Sequence, residues 1–144
     1  MAELIEARAL AKTYPGGAVA VRDVSLAVPK GELHVLMGLS GSGKSTVLRM
    51  LNRLIEPTSG SVLLDGRDLA TLSPAELRVV RNRRIAMVFQ HFALLPHKTV
   101  RENAGYGLKI RGVPKDERNE RAQEALERVG LGAWGDKRPA ELSG

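Results

Sequence analysis

The stretch of the sequence with the clearest chemistry is "GLSGSGKST", residues 38–46. Gly38, Gly43, Lys44 and Ser45 follow the spacing G-x-x-x-x-G-K-S, which is typical of loops that cradle nucleotide phosphates. Glycines let such a backbone curl until its N–H groups point inward at an anion. A helix that begins near Lys44 would add the positive end of its dipole. We therefore expect a phosphate-binding site in this stretch.

The residue types predict different contacts for two side chains of this loop. The Lys44 ammonium would reach the β- and γ-phosphates, and the Ser45 hydroxyl would coordinate Mg²⁺, which prefers oxygen ligands. The predicted nucleotide site is the whole loop: Gly38, Leu39, Ser40, Gly41, Ser42, Gly43, Lys44, Ser45 and Thr46. The alternative is a glycine-rich turn that binds nothing, and the flanking elements decide against it.

A phosphate loop needs a strand before it and a helix after it. Residues 32–38, "ELHVLMG", are a short apolar run that predicts a buried central strand. Residues 44–55 predict a helix that Pro57 ends. Its predicted apolar face consists of Val47, Leu48, Leu51, Leu54 and Ile55. Residues 85–90, "IAMVFQ", predict another buried strand.

The remaining pattern changes from strands to helices near residue 90. Residues 3–14 and 18–29 predict two strands around a Pro-Gly-Gly turn, and residues 59–69 predict a strand that runs into an Asp65-Gly66 turn. Residues 73–83 predict a helix capped by Ser73, with Pro74 in its first turn.

The part of the chain after residue 90 is predicted to be helical. Residues 99–110 and 114–130 predict two helices. The second would carry an apolar stripe of Ala122, Ala125, Leu126 and Val129 and would end at Gly130. We therefore expect an α/β fold in two parts, with residues 1–90 holding the strands and the nucleotide site and residues 91–144 forming a helical part.

Composition excludes several classes of protein. The 144 residues include no cysteine, which excludes disulfides and thiolate metal sites, and the acidic N-terminus does not resemble a signal peptide. No apolar run approaches 18 residues. The net charge of +6 fits a protein that handles phosphates, and because few aromatics interleave with the basic residues we expect no nucleic-acid partner.

Three reaction classes share the loop: small-molecule kinases, switch GTPases and mechanical ATPases. Small kinases usually begin with the strand that precedes the loop, whereas here about thirty-five residues of β-structure come first. The guanine-reading pattern Asn-Lys-x-Asp of GTPases occurs nowhere in the chain. A mechanical ATPase is the class that remains favoured.

Four motifs in order resemble the nucleotide-binding subunit of ABC transporters. These are Tyr14 in "KTYPGG", the phosphate loop, Gln90 in "MVFQ", and the final "LSG". The resemblance implies a P-loop ATPase of the ABC type, with an N-terminal antiparallel β subdomain, an incomplete parallel core sheet and a helical subdomain. It also implies that Tyr14 stacks on adenine and that Gln90 contacts Mg²⁺ and the attacking water. Ser143 and Gly144 would face the ATP held by a partner subunit.

A narrower resemblance connects the chain to importers of glycine betaine, proline and choline. The segments "LNRLIEPT" and "HFALLPH" are similar to sequences that are characteristic of that subfamily. The stretch from Tyr14 to Val19, however, is shorter than in many members. The resemblance implies ATP and Mg²⁺ as cofactors and a location on the cytoplasmic face of the cell membrane. It also implies three partners: permease subunits, a second ATPase subunit in a homodimer and, indirectly, a solute-binding protein.

The last residues predict that this chain is an N-terminal fragment of such an ATPase. "LSG" is the beginning of a longer signature, and no apolar strand followed by Asp-Glu, the family's metal and general-base pair, occurs in the sequence. We therefore expect weak nucleotide binding, little turnover, and exposed apolar surface around Val35 and Met37 that makes the isolated chain unstable. A nucleotide-binding module without catalysis is the alternative.

Two further features have open interpretations. The apolar cluster at residues 92–96 is either local core or part of a groove that receives the membrane subunit. His91 and His97 are interpreted as surface or subunit-contact residues, because no carboxylate is placed to pair with them.

Overall fold

The computed structural model describes residues 3–89 and 94–142. The chain divides into two compact units, residues 1–85 and residues 86–144. The predicted boundary between residues 90 and 91 stays a prediction, because it lies outside the described part of the chain.

The first unit contains an antiparallel sheet of four strands. They are β1 (Glu3–Thr13), β2 (Val19–Pro29), β3 (Ser59–Leu64) and β4 (Arg67–Asp68), in the order β2-β1-β3-β4. The strands predicted from residues 3–14, 18–29 and 59–69 are therefore confirmed. The Asp65-Gly66 turn between β3 and β4 has positive φ at both residues, 48° and 76°, as a two-residue hairpin loop requires.

Two helices pack on this sheet. Helix α1 spans Lys44–Leu51 and helix α2 spans Pro74–Arg83, and a short 3₁₀ turn, Leu69–Thr71, precedes α2. One continuous apolar core joins them to the strands; its buried members are Ala7, Leu10, Val21, Val47, Met50, Val62, Leu69, Leu72 and Leu77. This core fixes α1, and therefore the phosphate loop before it, against the sheet.

Helix α1 ends earlier than its sequence predicts. Arg53 has a φ of +53° and donates its N–H to the carbonyl oxygen of Met50, so the chain turns away four residues before Pro57. Val47 and Met50 form the buried face, whereas Leu48 and Leu54 are 46% and 50% exposed. The predicted face was wrong at those two positions: Leu48 lies on a side of α1 that does not meet the sheet, and Leu54 lies beyond the end of the helix at Leu51.

The two predicted buried strands are not formed. Residues 32–38 and 85–89 have no regular secondary structure, and Leu33, Met37 and Val88 are 90%, 86% and 97% exposed. A strand is held by hydrogen bonds to a neighbouring strand, and neither segment has one among residues 3–89 and 94–142. The exposure at Val35 and Met37 itself agrees with the expectation from the sequence.

The second unit is helical. Helix α3 spans Val100–Ala104, α4 spans Tyr106–Ile110 and α5 spans Lys115–Arg128. The single helix predicted over residues 99–110 is therefore divided at Gly105, which has a ψ of 0° and packs against the Arg118 side chain of α5.

Helix α5 buries a narrower stripe than its sequence predicts. Ala122 and Leu126 are buried, but Ala125 is exposed and Val129 is 67% exposed. The reason is that α3 and the short turn at residues 132–134 pack along the Ala122–Leu126 line and leave the neighbouring face to solvent. The predicted end of this helix is confirmed, because Gly130 has a φ of +76° and donates its N–H to the Glu127 carbonyl oxygen.

The predicted cap of α2 is present with an additional ion pair. The Ser73 hydroxyl accepts the Glu76 N–H, the Ser73 N–H donates to the Glu76 carboxylate at 2.9 Å, and Arg67 donates to the same carboxylate at 2.8 Å. The Ser73 N–H, the Arg67 guanidinium and the Ser73 hydroxyl together lower the pKa of Glu76 from 4.5 to about 2.

We expect this cap to show itself in an acid titration. Because the pKa of Glu76 is lower in the folded chain, the stabilisation is complete above pH 4.5 and is lost as the pH falls toward about 2. An NMR titration of the Glu76 carboxyl should give a midpoint near that value. Arg67→Ala should raise the midpoint, whereas Arg83→Ala in the last turn of α2 should leave it unchanged. A midpoint near 4.5 in the unmodified chain would contradict the cap.

Within residues 3–89 and 94–142, none of the helices combines the length and the apolar character needed to cross a membrane.

Candidate functional site

The phosphate loop is curled and rests on β2. Gly41 and Gly43 have φ angles of +80° and +88°, and the Ser42 N–H donates to the Leu39 carbonyl oxygen at 3.2 Å. A β-carbon built on Gly43 would lie 2.4 Å from the carbonyl oxygen of Ala20 in β2. Only glycine fits at residue 43, both for its backbone angle and for this close approach.

The Lys44 side chain folds back onto the loop. Its ammonium donates to the carbonyl oxygens of Gly38 and Leu39 at 2.7 Å and 2.6 Å and to the Ser42 hydroxyl at 3.2 Å. These bonds hold the loop in a curved shape. They also place the positive charge within the loop, where a phosphate group would need it.

Hydroxyl groups lie at the start of α1, next to the loop. Ser45 is exposed and Thr46 is half-buried in the first turn, which contains no acidic residue. Among the described residues there is no group of three or more His, Asp or Glu side chains that could hold a metal ion. The exposed Ser45 hydroxyl is of a type that can give one oxygen to a phosphate-bound Mg²⁺, an ion that often keeps few protein ligands.

Tyr14 lies at the same end of the β1–β2 hairpin as the phosphate loop. Its N–H donates to the carbonyl oxygen of Ala18 at 2.9 Å, and Ala20 is the residue that approaches Gly43. Two residues of extended chain span about 7 Å, so the hairpin position that the Tyr14 N–H contacts lies about that far along the chain from the point where the loop meets β2. Tyr14 is 37% exposed, which leaves ring surface available to a ligand.

Lys12 is a residue near the site that sequence reasoning missed. Its ammonium lies 5.3 Å from the centre of the Tyr14 ring and donates to the carbonyl oxygen of Glu56 at 2.7 Å. The sequence contained a signal, because Lys12 and Tyr14 are two residues apart in the strand predicted over residues 3–14 and would point to the same face.

Asn103 is the second residue that sequence reasoning missed. Its side-chain oxygen accepts the Leu95 N–H at 2.8 Å, and its amide group donates to the carbonyl oxygens of Leu95, Lys98 and Thr99 at 3.1, 3.3 and 2.9 Å. Asn103 thus holds the segment before α3 in one conformation. Sequence gives only an indirect signal: the Thr99–Glu102 capping box fixes where α3 begins.

Residues 135–137, which lead to the last residues of the chain, are held by hydrogen bonds and an ion pair within the second unit. The N–H groups of Val100 and Arg101 donate to the carbonyl oxygens of Lys137 and Gly135 at 2.8 and 2.9 Å. The Arg101 guanidinium pairs with Asp136 at 2.8 Å. These contacts set the path of the chain toward the short turn at Pro139–Glu141.

Some predicted site residues lie outside the described part of the chain. They are Gln90, His91, Phe92, Ala93, Ser143 and Gly144. Their predicted roles, including Gln90 at the metal and Ser143 and Gly144 toward a partner, stay predictions. In the described remainder of the 92–96 cluster, Leu94 is 44% exposed and Pro96 is exposed; His97 beside them is also exposed.

Comparison with known proteins connects this site to a family. Residues 21–144 match the family model described as ABC transporter. The glycine betaine/proline betaine transport system ATP-binding protein ProV of Escherichia coli is 56% identical over 129 residues, which are 90% of this chain and 32% of that protein. The glycine betaine transport ATP-binding protein OpuAA of Bacillus subtilis is 51% identical over 90% of this chain and 31% of its own length.

Relatives named for the import of another solute are somewhat less similar. The methionine import ATP-binding protein MetN of Geobacillus kaustophilus is 50% identical over 90% of this chain and 37% of its own length. The chain therefore spans about a third of the curated relatives that it matches.

A solved structure shares the fold. It is a dimeric ATP-binding cassette in a post-hydrolysis state, bound to ADP and Pi. It superposes with a TM-score of 0.89 at 34% identity, covering 96% of this chain and 63% of that one. The likeness confirms the fold class that the sequence motifs implied.

Proposed function

Because the chain belongs to the ABC transporter family, we propose that it binds Mg-ATP as part of the ATPase subunit of an importer for quaternary ammonium solutes. The observation that carries this proposal is the curled loop with the Lys44 ammonium held inside it, 2.7 Å and 2.6 Å from two loop carbonyl oxygens. In the proposed complex, the loop would offer backbone N–H groups and this cation to a polyphosphate.

In the proposed complex, each of these residues would contact a different part of Mg-ATP. The loop amides and the start of α1 hold the phosphates, and Lys44 exchanges its bonds with loop carbonyls for bonds with phosphate oxygens. Ser45 gives one oxygen to Mg²⁺, which neutralises phosphate charge when it is bound. Tyr14 offers its ring to the adenine, because a base stacked on an aromatic side chain gains about 1–3 kcal/mol. Gln90 would complete the metal and water contacts.

Hydrolysis and transport would need more than this chain. The sequence has no apolar strand followed by Asp-Glu, so we propose that the chain alone binds nucleotide and turns it over very slowly. In the complete subunit, two copies would enclose two ATP molecules, with Ser143 and Gly144 facing the partner's nucleotide. This dimer would sit at the cytoplasmic face of the membrane on permease subunits that receive solute from a binding protein.

The solute class is supported by the relatives. Proteins named for glycine betaine transport reach 51–56% identity, above the 46–50% of those named for methionine import. Transport selectivity resides in other subunits, so this support acts through subfamily membership and not through a solute-binding group in the chain.

A graft tests whether this chain can act as the ATPase part of such an importer. The 129 matched residues of the Escherichia coli relative would be replaced by their counterparts from this chain, and uptake of labelled glycine betaine would be measured in cells that lack the native protein. We expect uptake above that of empty vector, and a matched graft with Lys44→Ala should show none. A well-expressed graft without betaine uptake would refute the proposed function.

A further inference from the structure

The Lys12 ammonium has two partners that fix its place. It lies 5.3 Å from the centre of the Tyr14 ring and donates to the carbonyl oxygen of Glu56 at 2.7 Å. Lys12 belongs to β1, whereas Glu56 follows α1, so the side chain bridges the hairpin and the segment behind the phosphate-loop helix. These two contacts of one ammonium restrict where the Lys12 side chain lies before any ligand arrives.

Within residues 3–89 and 94–142, the Tyr14 side chain makes no hydrogen bond, and the Lys12 ammonium is the contact recorded on its ring. Its backbone is fixed by the hairpin, where the Tyr14 carbonyl oxygen accepts the Gly17 N–H at 3.0 Å, but the side chain is 37% exposed. A cation over one face of an aromatic ring is attracted by the ring's quadrupole. It restricts the rotation of the ring and draws electron density away from the opposite face, which favours stacking with an electron-rich base there.

We propose that Lys12 is a positioning residue for the nucleotide base: its ammonium holds the Tyr14 ring so that one face stays open for stacking. The proposal rests on the proposed function, since it assumes that a nucleotide base reaches Tyr14. It extends that function by placing the affinity for the base in a pair of residues, one of which never touches the nucleotide.

A direct contact between Lys12 and the phosphates is a different possibility, and the structure disfavours it. The ammonium is already bonded to the Glu56 carbonyl oxygen and lies over the ring, whereas the cation inside the phosphate loop is Lys44. The two roles can be separated by measuring affinity. A lysine that contacts phosphate would also strengthen the binding of a polyphosphate without a base, whereas a lysine that positions the Tyr14 ring would not.

The test compares two ligands that differ by the nucleoside. Binding of Mg-ATP and of Mg-tripolyphosphate to the 144-residue chain would be measured by calorimetry for the unmodified chain, Lys12→Met and Lys12→Arg. Lys12→Met keeps the length of the side chain without its charge. We expect it to weaken ATP binding about two- to fivefold, the range of an exposed cation–π pair, without changing tripolyphosphate binding. Lys12→Arg should restore the affinity for ATP.

Two controls separate positioning from general effects. Lys30→Met removes the same charge at an exposed position just after β2, and it should change neither affinity. Lys12→Met in a Tyr14→Ala background should cause no further loss of ATP affinity, since the ring through which Lys12 acts is gone.

Each other outcome overturns the inference. Equal losses for both ligands would assign Lys12 a structural or phosphate-binding role, and unchanged ATP affinity in Lys12→Met would show that the ring needs no anchor; the proposed function survives both results. If the unmodified chain binds tripolyphosphate as tightly as ATP, no base contact exists. If it binds neither ligand, the proposed function and this inference fail together.

Discussion

Replacing Lys44 with alanine should weaken Mg-ATP binding by the chain on the order of 10- to 100-fold, the range expected for losing a hydrogen bond from a charged group. The ammonium is placed by its bonds to Gly38, Leu39 and Ser42 within the loop. Its removal takes away the cation nearest the proposed phosphate position and releases the loop carbonyls that it holds. Calorimetric titration with Mg-ATP measures the loss.

The control for Lys44→Ala is Lys30→Ala, which removes an equal charge at an exposed residue outside the loop. We expect that variant to bind Mg-ATP like the unmodified chain. A Lys44→Ala chain that keeps its affinity would show that the curled loop is not where the phosphates bind.

Gly43→Ala should lower the free energy of unfolding of the first unit by about 2–5 kcal/mol. About 1–2 kcal/mol comes from the left-handed backbone and about 1–3 kcal/mol from overpacking. The φ of +88° at residue 43 is unfavourable for any side chain, and the new β-carbon would lie 2.4 Å from the Ala20 carbonyl oxygen. Urea unfolding followed by far-ultraviolet circular dichroism gives the difference.

Gly41→Ala separates the two causes. Gly41 has a similar φ of +80°, but a β-carbon there would meet no atom within 4 Å. This variant should therefore show only the backbone cost, about 1–2 kcal/mol. Equal losses in the two variants would mean that the contact between the loop and β2 contributes nothing.

Features with a local cause could be predicted from the sequence. The Ser73-Pro74 start of α2 and the Asp65-Gly66 turn depend on residues within a few positions of each other, and both are present. The phosphate loop belongs to the same class, because its glycines and Lys44 interact within nine residues. The fold class followed from the order of such local motifs.

Features that depend on distant partners could not be predicted in the same way. The strand character of residues 32–38 needs a neighbouring strand, which no local pattern supplies. The hydrogen bonds of the Asn103 side chain depend on the path of the segment before α3. The hydrogen bond from Lys12 to Glu56 joins residues 44 positions apart. Sequence patterns name the residue types at such positions but not their partners.

The alternation along residues 33–37 also determines how the chain behaves in solution. Leu33, Val35 and Met37 are 90%, 72% and 86% exposed, whereas Leu36 between them is 39% exposed, so one side of an extended segment is apolar and open. Pairing of such segments between molecules is a second-order process, so dilution slows it. The net charge of +6 opposes close approach, and added salt screens that repulsion. We therefore expect this association to be slowest at low ionic strength.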